Sequence, residues 1–211
     1  AWFAMGVLGR IYIAKEGINA QLALPSKNLE IFNNYLDTFS MFKKMRRNFA
    51  VEDGKSFFKL KIQIRDNIVA DGIEDPDFDA TNCGVHLDAK HWNELMNNPD
   101  VTVVDFRNHY ESEVGHFQDA VLPDVDTFRE QLPKVAEELK DKKDKPVMMY
   151  CTGGIRCEKA SAYLKHNGFE DVYQLEGGII KYARDCKEQE IEPKYIGKNF
   201  VFDERLSEKI T

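Results

Sequence analysis

Residues 150–160 read Tyr-Cys-Thr-Gly-Gly-Ile-Arg-Cys-Glu-Lys-Ala. The apolar run Val147–Tyr150 predicts a buried strand before the cysteine, and the pattern of Glu158–Asn167 predicts a helix that ends at Gly168. A strand, a glycine-rich turn and a helix in this order are typical of a parallel α/β sheet, in which ligands bind outside the carboxyl ends of the strands. We therefore expect Cys151 at the functional edge of such a sheet.

The composition of this loop favours an ionised thiol. We expect the backbone amides of Thr152 to Arg156 to converge on the Cys151 sulfur; the active-site loop consists of Thr152, Gly153, Gly154 and Ile155. Arg156 and the N-terminus of the following helix add positive potential, which lowers the pKa of a thiol and supplies a thiolate nucleophile. The alternative interpretation is a buried cysteine in a tight turn.

The spacing within the loop indicates which chemistry it suits. Four residues separate Cys151 from Arg156, whereas phosphatases with this kind of cradle have five. The smaller ring suits one additional sulfur atom better than a tetrahedral phosphate.

From Cys83 onward, predicted strands alternate with predicted helices. The strands are Val101–Asp105, Val147–Tyr150 and Asp171–Leu175; the helices run from an Asp88 cap to Met96, around Val125–Lys140, over Glu158–Asn167 and over Ile179–Glu188. This alternation predicts a parallel sheet with helices on both faces.

The first part of the chain has a different pattern. Arg10–Ala14 and Asn19–Leu24 predict two strands around a turn, Ser26 is a candidate helix cap, and Phe57–Ile64 predicts a strand with one wet face. We predict a small α+β domain, ferredoxin-like in type.

These patterns predict three segments. Residues 1–82 form the α+β domain and include an acidic linker at Asp71–Asp79, residues 83–190 form the α/β domain, and residues 191–211 form a C-terminal extension that we expect to be truncated.

Composition excludes several classes of protein. The 211 residues are 43% apolar and 31% charged, which is ordinary for a globular protein. The longest apolar stretches fall short of the ~18 residues that a membrane span needs, and no leader pattern is present. Four cysteines are too few for a disulfide scaffold, so we expect a cytoplasmic protein with reduced thiols and no membrane partner.

Charge divides unevenly along the chain. Residues 1–65 hold 11 Lys and Arg against 5 Asp and Glu, whereas residues 66–211 hold 18 against 31. Such a basic region can neutralise RNA phosphates, although a solvated surface is the simpler reading. The candidates for RNA binding are Lys43, Lys44, Arg46, Arg47, Lys59 and Lys61.

Several motifs between residues 83 and 190 resemble those of rhodanese domains. They are the cysteine loop, Val104-Asp105-Phe-Arg107, Glu113-Val-Gly115-His116-Phe and Glu176-Gly177-Gly178-Ile179. The resemblance implies a rhodanese-like fold in which Cys151 forms a persulfide. We expect Asp105 and Arg107 to orient the loop.

Further motifs resemble the bacterial rhodanese-domain family of tRNA uridine hydroxylases. They are Gly9–Ala20, Ala70–Glu74, Tyr150–Ser161 and Gly197–Asp203, so the resemblance extends over nearly the whole chain. It implies formation of 5-hydroxyuridine at the tRNA wobble position, with O2 as co-substrate and Cys151 as the active residue. Family members continue into a Cys-rich tail. The residues themselves show no dinucleotide or flavin motif and no cofactor.

The remaining candidates have two readings each. Cys157 is either a thiol that resolves an oxidised Cys151 or a small residue packed at a helix start. Arg156 either binds an anion or pairs with a carboxylate such as Asp105. His86 and Asp88 could imitate a metal site with His109 or His116, but Asp88 fits a helix cap better, and we expect no metal.

Our hypothesis is a tRNA-modifying hydroxylase that docks RNA through its N-terminal domain. One alternative is a sulfurtransferase that carries sulfane sulfur on Cys151, which implies a sulfur donor or small co-substrate. The other is a binding module that uses the fold without catalysis.

Overall fold

The computed structural model describes residues 1–43, 45, 47–49, 56–200 and 207–209. Contacts divide the chain into two compact units, the first ending at Ile68 and the second beginning at Val69. Lys44 and Arg46, two of the predicted RNA-binding residues, lie outside the described residues.

The first unit contains three strands and one α-helix. They are β1 (Leu8–Ala14), β2 (Gly17–Ala23), α1 (Leu29–Asp37) and β3 (Leu60–Ile64). The sheet has the order β2-β1-β3, in which β1 is antiparallel to β2 and parallel to β3. The prediction of a small α+β domain is confirmed.

Helix α1 covers one face of this sheet. Its Phe32 and Leu36 are buried and form the core of the unit with Val7, and Leu22 and Leu60 from the sheet pack against them. Ser26 does not cap α1 as predicted, because Ser26–Asn28 form a turn of 3-10 helix and α1 begins only at Leu29.

The second unit is built on a four-stranded sheet of order β4-β8-β7-β5. Its strands are β4 (Val85–Leu87), β5 (Thr102–Asp105), β7 (Val147–Tyr150) and β8 (Val172–Leu175). All three pairs of neighbouring strands are parallel, which confirms the predicted sheet.

Helices cover both faces of the parallel sheet, as predicted. They are α2 (Ala89–Leu95), α4 (Phe128–Glu138), α5 (Ile155–His166) and α6 (Gly178–Gln189), and a further short helix, α3 (His109–Ser112), follows β5. One core joins α4 and α5 to the sheet through Val147 and Met149, and the other joins α2 and α6 through Met148 and Tyr150. The strand β7 therefore lies between two cores and is fully buried.

A small antiparallel sheet accompanies the parallel one. It has the order β10-β9-β6, formed by β6 (Gly115–Phe117), β9 (Tyr195–Phe200) and β10 (Ser207–Lys209). The sequence did not predict it, because its strands are short and polar residues interrupt their apolar pattern.

The segment predicted as a linker is part of the second unit and packs against its helix α5. Asp71 is buried, and its carboxylate lies 3.0 Å from the ammonium of Lys159 on α5. Asp75 pairs with His166 at the end of the same helix. The predicted domain limits stay predictions. Within the described residues, no helix is long and apolar enough to cross a membrane.

Candidate active site

Cys151 follows the carboxyl end of β7, at the edge of the sheet where the loop pattern places it. Its side chain is fully buried, yet the sulfur has polar neighbours: the backbone N–H of Gly154 donates a hydrogen bond to Sγ at 3.1 Å. Gly154 has φ +95°, a conformation that turns the loop back over the sulfur and that glycine adopts without strain.

The loop is shorter than predicted, because α5 begins at Ile155 rather than at Glu158. The first backbone N–H groups of a helix have no partner within the helix, so they are free to bind an anion. The amides of Arg156 and Cys157 take this role toward the Cys151 sulfur. The cradle therefore uses the first turn of α5 together with Gly154, rather than all the amides from Thr152 to Arg156.

The pKa of Cys151 is lowered to about 6. Burial acts in the opposite direction, since it disfavours the charged thiolate. Hydrogen bonds from the Cys157 thiol and from the loop amides, together with the positive charge of Arg156, outweigh it. At neutral pH the sulfur is therefore mostly thiolate, the form that acts as a nucleophile.

Helix α6 fixes the other side of the loop. The Ile179 amide donates to the Cys151 carbonyl oxygen at 3.1 Å, and the Ile180 amide donates to the Thr152 carbonyl oxygen at 3.2 Å. Gly178 permits this approach, because a Cβ atom there would lie 2.5 Å from the Cys151 oxygen. The Gly-Gly motif before α6 thus serves the cysteine loop directly.

Arg156 forms an ion pair inside the protein. Its guanidinium donates two hydrogen bonds to the Glu111 carboxylate, at 2.7 and 2.8 Å, and a third to the Thr152 hydroxyl at 3.3 Å. Because Glu111 is fully buried, this pair is shielded from water. Arg156 therefore combines both predicted roles: it pairs with a carboxylate, which is Glu111 rather than Asp105, and it also stabilises the thiolate.

Sequence reasoning missed Glu111. It occupies the third position of α3, where its carboxylate accepts a hydrogen bond from the backbone N–H of Asn108 in a capping box. An Asn followed three residues later by Glu is the signal that could have found it. The Thr152 hydroxyl also contacts this carboxylate at 3.2 Å, so Glu111 joins the start of α3 to the cysteine loop.

Asp105 and Arg107 form a second buried ion pair. The Arg107 guanidinium lies 2.6 Å from both an Asp105 carboxylate oxygen and the Gly115 carbonyl, and it donates to the Tyr195 hydroxyl at 3.2 Å. Ser112 at the end of α3 donates to the same carboxylate at 2.9 Å. These bonds hold α3, and with it Glu111, which contacts Arg156 and Thr152 of the cysteine loop.

Cys157 lies directly beside the reactive sulfur. It is fully buried, and its thiol donates a hydrogen bond to Cys151, while burial raises the pKa of Cys157 well above the usual value. One thiol of the pair is thus ionised and the other protonated. The resolving role predicted for Cys157 stays a prediction.

The outer side of the loop is open at Gly153. This residue is exposed, and a Cβ atom there would meet no atom of the described residues within 4 Å. Gly153 therefore marks the side from which a substrate can approach the loop.

The predicted RNA-binding residues of the first unit differ in their surroundings. Lys43, Lys59 and Lys61 are exposed. Arg47 is engaged within the unit, because its guanidinium contacts the Asp37 carboxylate at 2.5 Å and the Phe42 carbonyl at 2.8 Å.

Among the described residues, one group has the ligand types that a metal ion requires. The side chains of Cys83, His86 and Glu158 place a thiol, an imidazole and a carboxylate within 4.8 Å of one another. His86 and Glu158 are hydrogen-bonded at 2.9 Å, and Gln174 donates to Glu158 at 3.2 Å, so the group is satisfied by its own contacts. Asp88 caps α2, as predicted, by accepting a hydrogen bond from the His91 amide at 2.9 Å.

Comparison with protein families assigns both parts of the chain. Residues 1–68 match the UPF0176 acylphosphatase-like domain, and residues 88–185 match the rhodanese-like domain. The second match contains the whole cysteine loop together with Glu111, Arg107 and Gly178.

Solved rhodanese-like domains also resemble the chain. One from Anabaena is 20% identical, with 53% of this chain and 78% of that chain covered and a TM-score of 0.41. Another, from Staphylococcus aureus, is 25% identical, with 46% and 90% covered and a TM-score of 0.38.

Curated relatives match over nearly the full chain. A protein of Photorhabdus laumondii named tRNA uridine(34) hydroxylase is 56% identical over 209 residues, which are 98% of this chain and 59% of that protein. An Escherichia coli protein of the same name is 55% identical, over 99% of this chain and 60% of that protein. The chain thus spans about 60% of the length of these relatives. The chain therefore has a UPF0176 acylphosphatase-like domain followed by a rhodanese-like domain, and it is similar over nearly its whole length to proteins named tRNA uridine(34) hydroxylase.

Proposed function

We propose that the protein hydroxylates the wobble uridine of tRNA to 5-hydroxyuridine, with O2 as co-substrate and Cys151 as the active residue. The observation that carries the proposal is the Cys151 thiol, whose pKa is lowered to about 6 within a cradle of backbone amides. Relatives at about 55% identity carry the name of this activity, and the cysteine loop lies within the matched region.

A thiolate suits chemistry at the uracil ring. C6 of uracil is electrophilic, because it is conjugated through C5 to the C4 carbonyl. When the Cys151 sulfur adds to C6, an S–C6 bond forms and the C5–C6 π electrons move toward the C4 oxygen. This makes C5, the carbon that is hydroxylated, nucleophilic. One oxygen atom of O2 is transferred to C5, and the other leaves as water with two electrons and two protons from an external reductant such as a thiol. Loss of the C5 proton and cleavage of the S–C6 bond then restore the C5–C6 double bond and free the thiolate.

The residues around Cys151 support this role by acting on the sulfur rather than on the uracil ring. The amide of Gly154 and the thiol of Cys157 hold the negative charge on the sulfur before attack. The Arg156–Glu111 pair fixes the guanidinium close to that charge, and α6 holds the carbonyl side of the loop. Such preorganised dipoles need no rearrangement when charge moves.

The proposed partner is tRNA, and the proposed location is the cytoplasm, where tRNA is modified and thiols stay reduced. The basic first unit supports RNA as a partner, since Lys43, Lys59 and Lys61 are exposed there.

Nucleoside mass spectrometry of cellular tRNA tests the proposal. A strain that lacks the gene is complemented with the full-length wild-type gene, with Cys151→Ala or with Cys186→Ala. Cys186 is a buried thiol on α6 in the opposite core, so its variant is a matched control. We expect 5-hydroxyuridine with wild type and Cys186→Ala and its loss with Cys151→Ala. Normal 5-hydroxyuridine with Cys151→Ala would refute the catalytic role.

A sulfurtransferase activity is the second candidate, because the cradle that stabilises a thiolate also fits the anionic terminal sulfur of a persulfide. Incubation with thiosulfate followed by intact-mass measurement tests it. A gain of one sulfur atom that requires Cys151 supports this function, and an unchanged mass opposes it. Full biological activity of Cys151→Ala would instead favour the third candidate, a non-catalytic binding module.

A further inference from the structure

The sheet of the first unit has a second face, opposite to the one that α1 covers. Register places Arg10 of β1 between Gln21 of β2 and Lys61 of β3, and places Tyr12 between Asn19 and Gln63. Side chains at alternate positions of a strand point to the same side, so these residues share one face. We call it the basic sheet face, and it comprises Arg10, Tyr12, Asn19, Gln21, Lys61, Gln63 and, just after β3, Arg65.

The basic sheet face is accessible to solvent. Gln21, Lys61 and Arg65 are exposed, and Arg10, Tyr12 and Gln63 are half-buried. The apolar residues that pack with α1, such as Leu22 and Leu60, belong to the opposite face by the same alternation. Helix α1 therefore lies on the opposite face and does not cover the basic sheet face.

The charge on this face has one sign. It carries Arg10, Lys61 and Arg65 and contains no Asp or Glu. Within the described part of the chain, none of these three cations forms an ion pair with a carboxylate. Three positive charges on one sheet face are available for a polyanion, unlike Arg47, which is already paired with Asp37.

Aromatic rings lie among these cations. The Arg65 guanidinium lies over the Tyr12 ring at 4.7 Å and also donates to the Gln63 side chain at 3.2 Å. The Arg10 guanidinium lies 5.7 Å from the centre of the Phe57 ring. Planar guanidinium and aromatic groups stack on nucleobases, and amide side chains hydrogen-bond to base edges.

We propose that the basic sheet face binds a single-stranded segment of RNA, such as the anticodon loop of a tRNA. Arg10, Lys61 and Arg65 contact phosphates, while the Tyr12 ring, together with the Arg65 guanidinium that lies over it, offers a stacking surface for a base. This inference rests on the proposed function for the identity of the RNA. An acidic protein could use the charges but has no nucleobase for Tyr12, which is why the aromatic residue favours RNA.

The test measures binding of a labelled single-stranded anticodon-loop oligonucleotide to the full chain, with Arg10→Ala, Lys61→Ala, Arg65→Ala and Tyr12→Ala. Removing a phosphate contact should weaken binding and reduce the salt dependence of log K by about 0.7 per contact. Loss of Tyr12 stacking should weaken binding roughly 5- to 150-fold with an unchanged salt dependence. Lys27→Ala is the matched control, because Lys27 is an exposed lysine of the same unit at the start of the helical segment.

Two further variants keep the result interpretable. Tyr12→Phe retains the ring and should bind as the wild type does, and Arg65→Lys retains the charge and should preserve the salt dependence. Equal affinity of all sheet variants and the wild type would overturn the proposal, as would equal competition by polyglutamate and by RNA. The binding measurement does not depend on catalysis. If the sheet variants bind as the wild type does while cellular 5-hydroxyuridine requires Cys151, the RNA-binding face alone is refuted. If the sheet variants bind more weakly but the wild type forms no 5-hydroxyuridine, the proposed function alone is refuted.

Discussion

The two units use charged side chains in opposite ways. In the second unit, Arg107 with Asp105 and Arg156 with Glu111 form ion pairs that are buried or nearly so. In the first unit, Arg10, Lys61 and Arg65 lie on a sheet face that itself carries no Asp or Glu. The same residue types thus fix the geometry of a reactive sulfur in one unit and remain available for a large anion in the other.

Burial explains why charged side chains have different effects in the two units. A buried charge must have every partner in place, since its desolvation is costly, and so each pair determines the position of the segments that it joins. An exposed cation is already solvated and contributes little to stability. We therefore expect substitutions in the two units to affect different measurements, namely the free energy of unfolding in the second unit and RNA affinity in the first.

The largest expected effect is that of Glu111→Ala. It leaves the Arg156 guanidinium, the Thr152 hydroxyl and the Asn108 amide without their common acceptor. Removing one partner of a buried pair typically costs about 3–5 kcal/mol, so denaturant unfolding should show a loss of this size. Glu113→Ala is the control: this exposed carboxylate pairs with His109, and its removal should cost at most about 1 kcal/mol. Equal losses for the two variants would contradict the comparison.

Gly178→Ala should have the next largest effect. The residue has φ +66°, and the new Cβ atom would lie 2.5 Å from the Cys151 carbonyl oxygen, so the loop or α6 must shift. We expect a loss of about 1–3 kcal/mol in unfolding free energy and a loss of 5-hydroxyuridine formation. Gly153→Ala has open space around the new atom and should unfold as the wild type does. A destabilised Gly153→Ala beside a stable Gly178→Ala would show that the contact with α6 does not position the loop.

Cys157→Ala should change the pKa of Cys151 more than it changes the free energy of unfolding. It removes the thiol that donates to the Cys151 sulfur, so the pKa of Cys151 should rise above about 6. The pH dependence of the alkylation rate measures this, with its midpoint shifted to higher pH, and Cys186→Ala should leave the midpoint unchanged. An unshifted midpoint for Cys157→Ala would show that the backbone amides and Arg156 are enough to lower the pKa of Cys151.

The same titration affects stability with a definite sign. The pKa of Cys151 is lower in the folded chain than in the unfolded chain, so ionisation stabilises the folded state above the unfolded pKa. This contribution falls as the pH decreases and is lost below about 6. Wild-type unfolding free energy measured against Cys151→Ala from alkaline to mildly acidic pH should therefore decrease on acidification. A constant difference would contradict the lowered pKa.

The smallest expected effect on folding belongs to the first unit. Lys61→Ala removes an exposed cation and should change the unfolding free energy by no more than about 0.5 kcal/mol. Its effect should appear in RNA affinity instead. A large destabilisation by Lys61→Ala would show that the basic sheet face has a structural role and would weaken the contrast between the units.

Local pattern was sufficient for the elements next to the reactive cysteine. Strand β7 occupies the predicted residues, and the position of Cys151 at its carboxyl end follows from a buried apolar run before a glycine-rich turn. The predicted start of α5 is three residues too late, because the first turn of this helix contains no apolar periodicity. Its backbone amides instead bind the Cys151 sulfur. The role of Glu111 was missed because residues 111 and 156 are distant in sequence and meet only when α3 packs at the loop.

The amino-acid order alone determined the alternation of strands and helices, the thiol at the end of a strand and the concentration of basic residues early in the chain, because each depends on neighbours along the chain. Tertiary structure decided which carboxylate pairs with Arg156, how close α6 approaches the Cys151 carbonyl and which cations share the basic sheet face. Those features depend on contacts between segments remote in sequence, and strand register and helix packing bring them together only in the folded state.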